Sequence, residues 1–145
     1  GRDSIIQILQ GLAKAIVKYQ DPSSGTWYQV TDQGAREGNY LESSATALFI
    51  YTLAKAINKG YIGNEYIEPT QKAFDGMVKT FTRLEEDGSY TITNCCAVAG
   101  LGGDSKRYRD GSFEYYISEP IIENDPKSVG SFILAAIEYE KMTKK

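Results

Sequence analysis

Two groups of polar residues gather in the predicted loops, where their side chains could contact a ligand or act on it. The first precedes and begins a long apolar segment, and its members are Asp32, Arg36, Glu37, Asn39, Glu42, Ser43 and Ser44. The second lies in later loops, and its members are Lys106, Arg107, Tyr108, Arg109, Asp110, Glu114, Glu119, Glu123 and Asp125. Glycoside hydrolysis generally uses two carboxyl groups that flank the bound sugar. The sequence therefore offers candidates for a sugar site, although solvated surface charge is the commoner role of each residue type.

Glu42 shows how the two interpretations differ. The positive end of a helix dipole favours the ionised carboxylate, so a glutamate in a first helical turn is a poor general acid but a suitable partner for sugar hydroxyl groups. The alternative is an ordinary first-turn carboxylate. By the same reasoning Arg109 and Asp110 can form a surface ion pair, and Asp125 can simply cap a helix.

Composition excludes several kinds of site. The chain of 145 residues contains no histidine, so neither a Ser-His-Asp or Cys-His mechanism nor a histidine metal site can be built from it. Cys95 and Cys96 are adjacent, which suits neither an ordinary disulfide nor zinc and predicts two small buried residues. The net charge is −3 without a run of like charges, which favours neither nucleic acid nor an anionic membrane as a partner.

The segment Tyr40–Lys59 is predicted to be a buried central helix. Its apolar residues recur with helical spacing, and the opposite side is apolar too, so other helices must cover it on most sides. Asn39 is expected to cap the free backbone donors of its first turn. Gly60 is placed to end the helix in the left-handed conformation.

The remaining elements are predicted from two periodicities, 3.6 for helices and 2 for strands. Further helices are expected at Ser4–Tyr19, Asn64–Leu84 and Pro126–Lys141, and short β-hairpin elements at Tyr90–Thr93 and Phe113–Ser118. The motif of glycine, small hydroxyl residue and aromatic residue begins at Gly25, Gly88 and Gly111. Its recurrence beside alternating outer and inner helices predicts a stacked array of helical hairpins within one mainly α-helical domain.

Ordered sequence blocks add a family resemblance. The blocks are Trp27–Val30, Gly38–Ala45, Val98–Gly103, Tyr108–Tyr116, and Ser118–Pro120 followed by Glu123–Asp125. Together they resemble the C-terminal part of glycoside hydrolase family 105, the unsaturated rhamnogalacturonyl hydrolases, which are related to the family 88 unsaturated glucuronyl hydrolases. The resemblance covers essentially the whole chain and implies an α/α toroid of six helical hairpins.

The resemblance also implies a reaction. Such enzymes remove a terminal 4,5-unsaturated galacturonic acid from rhamnose by hydrating its double bond, with an aspartate as the acid and no metal or organic cofactor. The family's catalytic aspartate, its active-site histidine and its Arg-Gly-Asn-Gly-Trp segment have no counterpart here. No catalytic residue is therefore assigned, and the chain is expected to be inactive alone. The residues expected to contribute to the rim of the substrate pocket are Asn39, Tyr40, Glu42, Ser43, Arg109 and Asp110.

Two other functions remain open at this point. One is a non-catalytic module that binds carbohydrate or another helical protein through its aromatic turns. The other is a different α/α-toroid enzyme, such as a lyase or a terpenoid cyclase, which the lack of an aspartate-rich motif disfavours.

The resemblance and the composition also give expectations for the partners and the cellular location of the chain. An oligosaccharide is expected as the ligand, and no apolar stretch reaches the roughly eighteen residues of a membrane span. The N-terminus lacks the layout of a secretion signal, so a cytoplasmic location is expected, with the periplasm as the alternative. The flanks of the inner helices are expected to be exposed, and to drive either a two-fold dimer or association with the missing N-terminal part. These flanks carry Leu48, Phe49, Ile50, Leu53, Phe132 and Ile133.

Overall fold

The computed structural model describes residues 1–34, 36–103 and 108–144, and within them helices dominate. The helices are α1 (Arg2–Lys18), α2 (Ser43–Asn58), α3 (Ile67–Phe81), α4 (Phe113–Ser118) and α5 (Pro126–Thr143), with a 3-10 turn at Asn64–Tyr66. The strands are β1 (Thr82–Leu84), β2 (Tyr90–Ile92), β3 (Cys95–Cys96) and β4 (Ile121–Ile122). Strand β1 pairs with β2 and β3 with β4, both antiparallel. The predicted fold class, mainly α with short β-hairpins in the loops, is confirmed.

Helices α2 and α5 lie side by side in parallel and form the centre of the fold. Near their C-terminal ends, Asn58 Nδ2 donates to the carbonyl oxygen of Glu138 at 2.9 Å. Near their N-terminal ends, β3 joins them, because Cys96 N donates to Glu42 Oε1 and Lys127 Nζ lies 3.4 Å from Cys95 Sγ. The buried face of α5 is formed mostly of small residues, which lets the two helix axes approach closely. Its members are Ser128, Ser131, Ala135, Glu138 and Met142.

The prediction that α2 is covered on most sides is confirmed. Trp27 is fully buried beside it, stacks edge-on against Phe49 with ring centroids 5.2 Å apart, and donates its indole N–H to Ile16 O at 2.8 Å. That bond satisfies the one polar group of a large buried side chain. On the other side, Phe74 of α3 stacks on Tyr139 of α5 with centroids 3.9 Å apart. The aromatic residues thus hold the outer helices against the inner pair.

Two predicted helices have wrong boundaries, each for a local reason. Helix α2 begins at Ser43 rather than Tyr40, because the chain is still extended at Leu41, which pairs with Tyr28. The helix predicted over Asn64–Leu84 begins with a 3-10 turn and ends at Phe81, since Thr82–Leu84 pairs with β2.

The helix ends change one predicted start and confirm two capping predictions. Helix α1 begins at Arg2, two residues before the predicted Ser4, and has no side-chain cap. Asp125 does cap α5, because its side chain accepts a hydrogen bond from Lys127 N. Gly60 has the expected positive φ, at 66°.

The strand predicted at Phe113–Ser118 is wrong, because this segment is helix α4. Ser112 caps it by accepting a hydrogen bond from Tyr115 N at 3.1 Å, and Phe113 is buried at its start. The aromatic and β-branched content suggested a strand, but a capping serine and the burial of one ring were enough to favour a helical turn.

The large residues of α5 lie on an exposed flank. Ile133, which was predicted to belong to an exposed flank, is 55% exposed, and the neighbouring Leu134 and Ile137 are 46% and 44% exposed. The reason is the close α2–α5 contact, which uses the small residues and leaves the large ones on the flank. In α2, Ile50 and Leu53 are fully buried within the chain, so only Leu48 among its predicted flank residues is largely exposed.

Candidate functional site

The start of α2 is organised by a buried carboxylate. Glu42 is 1% exposed and accepts hydrogen bonds from Ala45 N at 2.6 Å, Ser44 Oγ at 2.8 Å and Cys96 N at 3.0 Å. It is therefore the N-cap of α2, and it fastens β3 to that helix. The sequence analysis gave this role to Asn39, which is wrong.

Asn39 has a different task, because its amide closes the loop that precedes α2. Its Oδ1 accepts from Val30 N at 3.2 Å, and its Nδ2 donates to Val30 O at 2.9 Å and Gln33 O at 2.8 Å. The side chain is thus occupied by the loop backbone. Asn39 positions the loop and offers few groups to a ligand.

Cys96 connects the residues around the start of α2. Gln29 Nε2 donates to Cys96 Sγ at 3.1 Å, and the buried Tyr40 hydroxyl lies beside the same sulfur. Burial, then the neighbouring Cys96 and Glu42, raises the pKa of Tyr40 above its ordinary value. Cys95 and Cys96 are both buried free cysteines, as predicted, and burial raises the pKa of Cys95. These thiols act as structural contacts.

Ser43, the first residue of α2, is fully buried. Its N–H donates to Asn94 O at 3.0 Å, while its hydroxyl makes no hydrogen bond within the part of the chain that the structure describes. A ligand on the surface does not reach it. Glu42 and Ser43 therefore lie beneath the surface at the start of α2.

Arg109 and Glu119 form the most polar part of the second group. The Glu119 side chain is fully buried, and its Oε1 lies 3.9 Å from Arg109 Nε, a distance that permits charge attraction but is too long for a hydrogen bond. The Arg109 side chain is 32% exposed. Its backbone pairs with Gly102 through two hydrogen bonds of 2.9 Å. The arginine is thereby held at the loop surface beside a buried anion.

Tyr115 and Gly100 complete the surroundings of this pair. The Tyr115 hydroxyl donates to Gly100 O at 2.8 Å, and burial and the adjacent Glu119 raise the pKa of Tyr115. A Cβ atom added at Gly100 would lie 3.3 Å from a terminal guanidinium nitrogen of Arg109. Glycine at this position therefore leaves space for the arginine.

Asp110 is exposed, and its Oδ1 accepts from Ser112 N at 2.9 Å. This hydrogen bond to the backbone of Ser112 lowers the pKa of Asp110. The predicted surface ion pair between Arg109 and Asp110 is not formed, because Arg109 is paired with Glu119 instead. Lys106 and Arg107, which the sequence analysis placed in the same group, lie outside the described residues.

A contact across the surface joins the two groups of polar residues. Arg36 forms an ion pair with Glu114, and its guanidinium carbon lies 3.8 Å from the centroid of the Phe113 ring. The loop before α2 thus packs on α4. Beneath them, Ala97 N donates to Pro120 O at 2.9 Å, which places the residues after Cys96 next to Glu119. The predicted rim residues therefore belong to one end of the molecule.

Sequence reasoning missed two residues that organise this end. Glu119 was recognised only as a member of an acidic group, and Cys96 only as a buried side chain. The place of Glu119 within the Ser118–Pro120 block was the one feature of the sequence that could have drawn attention to it. Nothing in the sequence indicated that Cys96 contacts Gln29, Tyr40 and Glu42. Those contacts depend on the position of β3, which is set by its pairing with β4.

The described residues contain neither a metal-binding cluster nor a membrane-spanning helix. They contain no cluster of three or more potential metal-binding side chains. None of the helices in the described ranges combines the length and apolar character of a membrane span.

Comparisons with known proteins give a consistent result. The profile of Glycosyl Hydrolase Family 88 matches residues 1–143. Protein Atu3128 of Agrobacterium fabrum strain C58 is 37% identical over 119 residues, which are 79% of this chain and 51% of that protein. This chain therefore spans about half the length of that relative.

Solved structures agree with the profile. A family 105 glycoside hydrolase of C. acetobutylicum ATCC 824 superposes with a TM-score of 0.92 at 45% identity, over 96% of this chain and 38% of that one. A family 88 glycosyl hydrolase of Bacteroides vulgatus gives a TM-score of 0.66 at 28% identity, over 97% of this chain and 36% of that one. These superpositions confirm the prediction of a C-terminal segment of an α/α toroid.

Proposed function

The chain belongs to glycosyl hydrolase family 88, and from that membership we propose that it is part of an enzyme that acts on pectin fragments. The enzyme releases 4,5-unsaturated galacturonic acid from rhamnogalacturonan oligosaccharides by hydrating the sugar's double bond. This chain contributes part of the pocket rim. The aspartate that protonates the double bond belongs to the portion that this chain does not contain, so the chain alone does not turn the substrate over.

The observation that carries this proposal is the state of Arg109. The unsaturated sugar has a carboxylate, and arginine is the side chain best suited to bind a carboxylate through two parallel hydrogen bonds. Arg109 is partly exposed, and its contact with Glu119 is long at 3.9 Å. Its guanidinium group therefore retains donors for a ligand, while the buried anion limits where the group can move.

The neighbouring groups suit a sugar acid as well. Asp110 is exposed, and its Oδ1 accepts a hydrogen bond from Ser112 N. It retains acceptor capacity for hydroxyl groups, since an ionised carboxylate has about four acceptor sites. Tyr40 is half-buried and Asn39 is engaged by the loop, so they shape the rim rather than provide its main polar contacts.

A chimera tests the proposal. The segment of the C. acetobutylicum family 105 hydrolase that superposes on this chain is replaced by residues 1–143. Activity is followed as the loss of the double-bond absorbance of unsaturated rhamnogalacturonan disaccharide. We expect turnover by the chimera and none by the 145-residue chain alone, because only the chimera has both the acid and the rim.

A matched control separates this function from a simple binding module. The same chimera carrying Arg109→Ala should need a higher substrate concentration, whereas Arg83→Ala should not, because the Arg83 donors are already engaged by Glu85 and Glu123. Turnover by the isolated chain would refute the proposal that the catalytic acid lies outside this chain and that the chain contributes only the rim. An inactive but folded chimera, together with oligosaccharide binding by the isolated chain, would favour the non-catalytic carbohydrate-binding module instead.

A further inference from the structure

Helix α4 carries the contacts that hold Arg109 in place. In the middle of the helix, the Tyr115 hydroxyl donates to Gly100 O at 2.8 Å. Gly100 stands two residues before Gly102, whose backbone pairs with that of Arg109. Directly after the helix comes Glu119, the buried carboxylate that pairs with the Arg109 side chain. The position of Arg109 therefore depends on the position of α4.

Helix α4 cannot hold its own position, because it is only six residues long. A helix of that length is not stable without tertiary contacts. Phe113 is buried, whereas the other five residues of α4 are half-buried or exposed. The helix must therefore be held by the segments that pack against it.

The loop before α2 packs against both ends of α4. At the first turn, the guanidinium carbon of Arg36 lies 3.8 Å from the centroid of the Phe113 ring, and Arg36 also forms an ion pair with Glu114. At the last turn, Gly38 lies so close that a Cβ atom added to it would be 2.8 Å from Ile117 Cδ1. The loop thus follows α4 along its length, and Arg36 makes the polar part of the contact.

The loop also fixes the direction of the Arg36 side chain. Arg36 Nη1 donates to Gln33 Oε1 at 2.9 Å, and Arg36 N donates to Gln33 O at 3.0 Å. An exposed ion pair alone stabilises a fold little, but a guanidinium group held over an aromatic ring adds a cation–π attraction. Arg36 therefore arrives at α4 already oriented and contacts its one buried ring.

We propose that Arg36 is a positioning residue for the sugar-acid site. It holds α4 against the loop before α2, and α4 in turn keeps Arg109 and Glu119 in the arrangement that presents the Arg109 guanidinium at the surface. This inference rests on the proposed function, in which Arg109 binds the substrate carboxylate. Arg36 acts through α4, and its own guanidinium group stays on Phe113.

Hydrogen exchange of single amides, followed by NMR on the 145-residue chain, tests the structural half of the inference. In Arg36→Ala, the amides of Gly102 and Arg109 should exchange about tenfold faster, because loss of the contact favours local opening. Arg83→Ala is the matched control, since it removes a paired surface arginine elsewhere, and it should leave both amides unchanged. The buried amide of Cys96 should keep its protection in both variants, which verifies that the fold is intact.

Kinetics of the active chimera test the functional half. Arg36→Ala should raise KM about three- to tenfold with kcat nearly unchanged, a smaller effect than loss of Arg109 itself. Arg36→Lys should give an intermediate KM, because lysine keeps the charge but lacks the planar face that stacks on the ring. In a chimera that already carries Arg109→Ala, the further change Arg36→Ala should alter KM by less than about twofold, since two residues that act through one contact are not additive.

Two outcomes would overturn the inference. One is faster exchange confined to the loop before α2 with Gly102 and Arg109 unchanged, because Arg36 would then stabilise its own loop alone. The other is an equal rise in KM on Arg36→Ala with and without Arg109, because Arg36 would then act on the substrate independently. Failure of the proposed function has a different sign, an unchanged KM in Arg109→Ala. The exchange experiment needs no activity and would still decide whether Arg36 holds Arg109.

Discussion

Two buried glutamates at the same end of the molecule have contrasting surroundings. Glu42 accepts three hydrogen bonds of 2.6–3.0 Å, two of them from backbone N–H groups. Glu119 is equally buried, and Arg109, which pairs with it among the described residues, lies 3.9 Å away and is partly exposed. The first carboxylate is enclosed by the fold, and the second supports a side chain that reaches the surface.

The contrast shows how a fold distributes its buried charges. A buried carboxylate that is saturated by backbone donors stabilises local structure and has little left for a ligand. A buried carboxylate next to a partly exposed arginine holds that cation at the surface, where the proposed function has it bind substrate. The predicted rim is therefore a structural base, formed by Glu42, Ser43 and Asn39, and a polar surface formed by Arg109 and Asp110. The predictions below test that division.

Glu42→Ala should have the largest effect. It removes the N-cap of α2 and leaves the buried N–H of Cys96 without its acceptor, so the free energy of unfolding should fall by about 2–4 kcal/mol. Urea denaturation of the 145-residue chain measures this change. Glu37→Ala is the control, because Glu37 is exposed and makes no hydrogen bond with the described residues. Equal stability of the two variants would mean that Glu42 is not a structural residue.

The error over Asn39 explains why the sequence did not reveal this cap. Asparagine is among the best N-cap residues and glutamate is not, so the local preference selected Asn39. Pairing of Tyr28 with Leu41 keeps the chain extended for three more residues, and that pairing depends on distant contacts. Apolar periodicity, in contrast, correctly predicted α1, α2, α3 and α5, because it reports directly on burial.

Arg109→Ala in the active chimera should have the next largest effect. Loss of a charged hydrogen-bonding partner costs about 1.5–3 kcal/mol of substrate binding, which corresponds to on the order of a 10- to 100-fold increase in KM. The value of kcat should stay nearly unchanged, since the chemical groups lie elsewhere. Arg109→Lys should give an intermediate KM, because lysine keeps the charge and loses the two-pronged geometry.

Steady-state kinetics distinguish this result from general damage. A fall in kcat with unchanged KM would contradict a binding role for Arg109. A loss of thermal stability equal to that of Glu42→Ala would mean that Arg109, like Glu42, mainly stabilises the fold. The variant Arg83→Ala supplies the reference for removal of a surface arginine that is already paired.

The site itself was only partly predictable, for a physical reason. Residue types identified Arg109 and Asp110 as polar loop residues, but the sequence paired them with each other. The structure pairs Arg109 with Glu119 because β4 brings Pro120 against Ala97. Helix α4 was missed as well, although Ser112 is a good N-cap residue, because an aromatic run of six residues has no clear period.

Tyr115→Phe should have a smaller effect than either change above. It removes the hydrogen bond from the Tyr115 hydroxyl to Gly100 O, so the free energy of unfolding should fall by about 1 kcal/mol. Tyr116→Phe is the matched control, because the Tyr116 hydroxyl makes no hydrogen bond with the described residues. The stability of that variant should be unchanged. Urea midpoints of the two variants measure the difference. Identical midpoints would show that the hydroxyl of Tyr115 does not hold the Gly100 backbone.

Asp110→Asn should have the smallest effect, and one that depends on pH. The hydrogen bond from Ser112 N lowers the pKa of Asp110 below its ordinary value of 3.8, so the unfolded chain takes up this proton at a higher pH than the folded chain does. The contribution of Asp110 to stability is therefore complete above pH 3.8 and disappears as the pH falls through the folded pKa. Urea midpoints measured from neutral pH down to about pH 3 should show a small deficit in the variant that shrinks in acid. A deficit that stays constant with pH would mean that the Asp110 charge does not take part in this hydrogen bond.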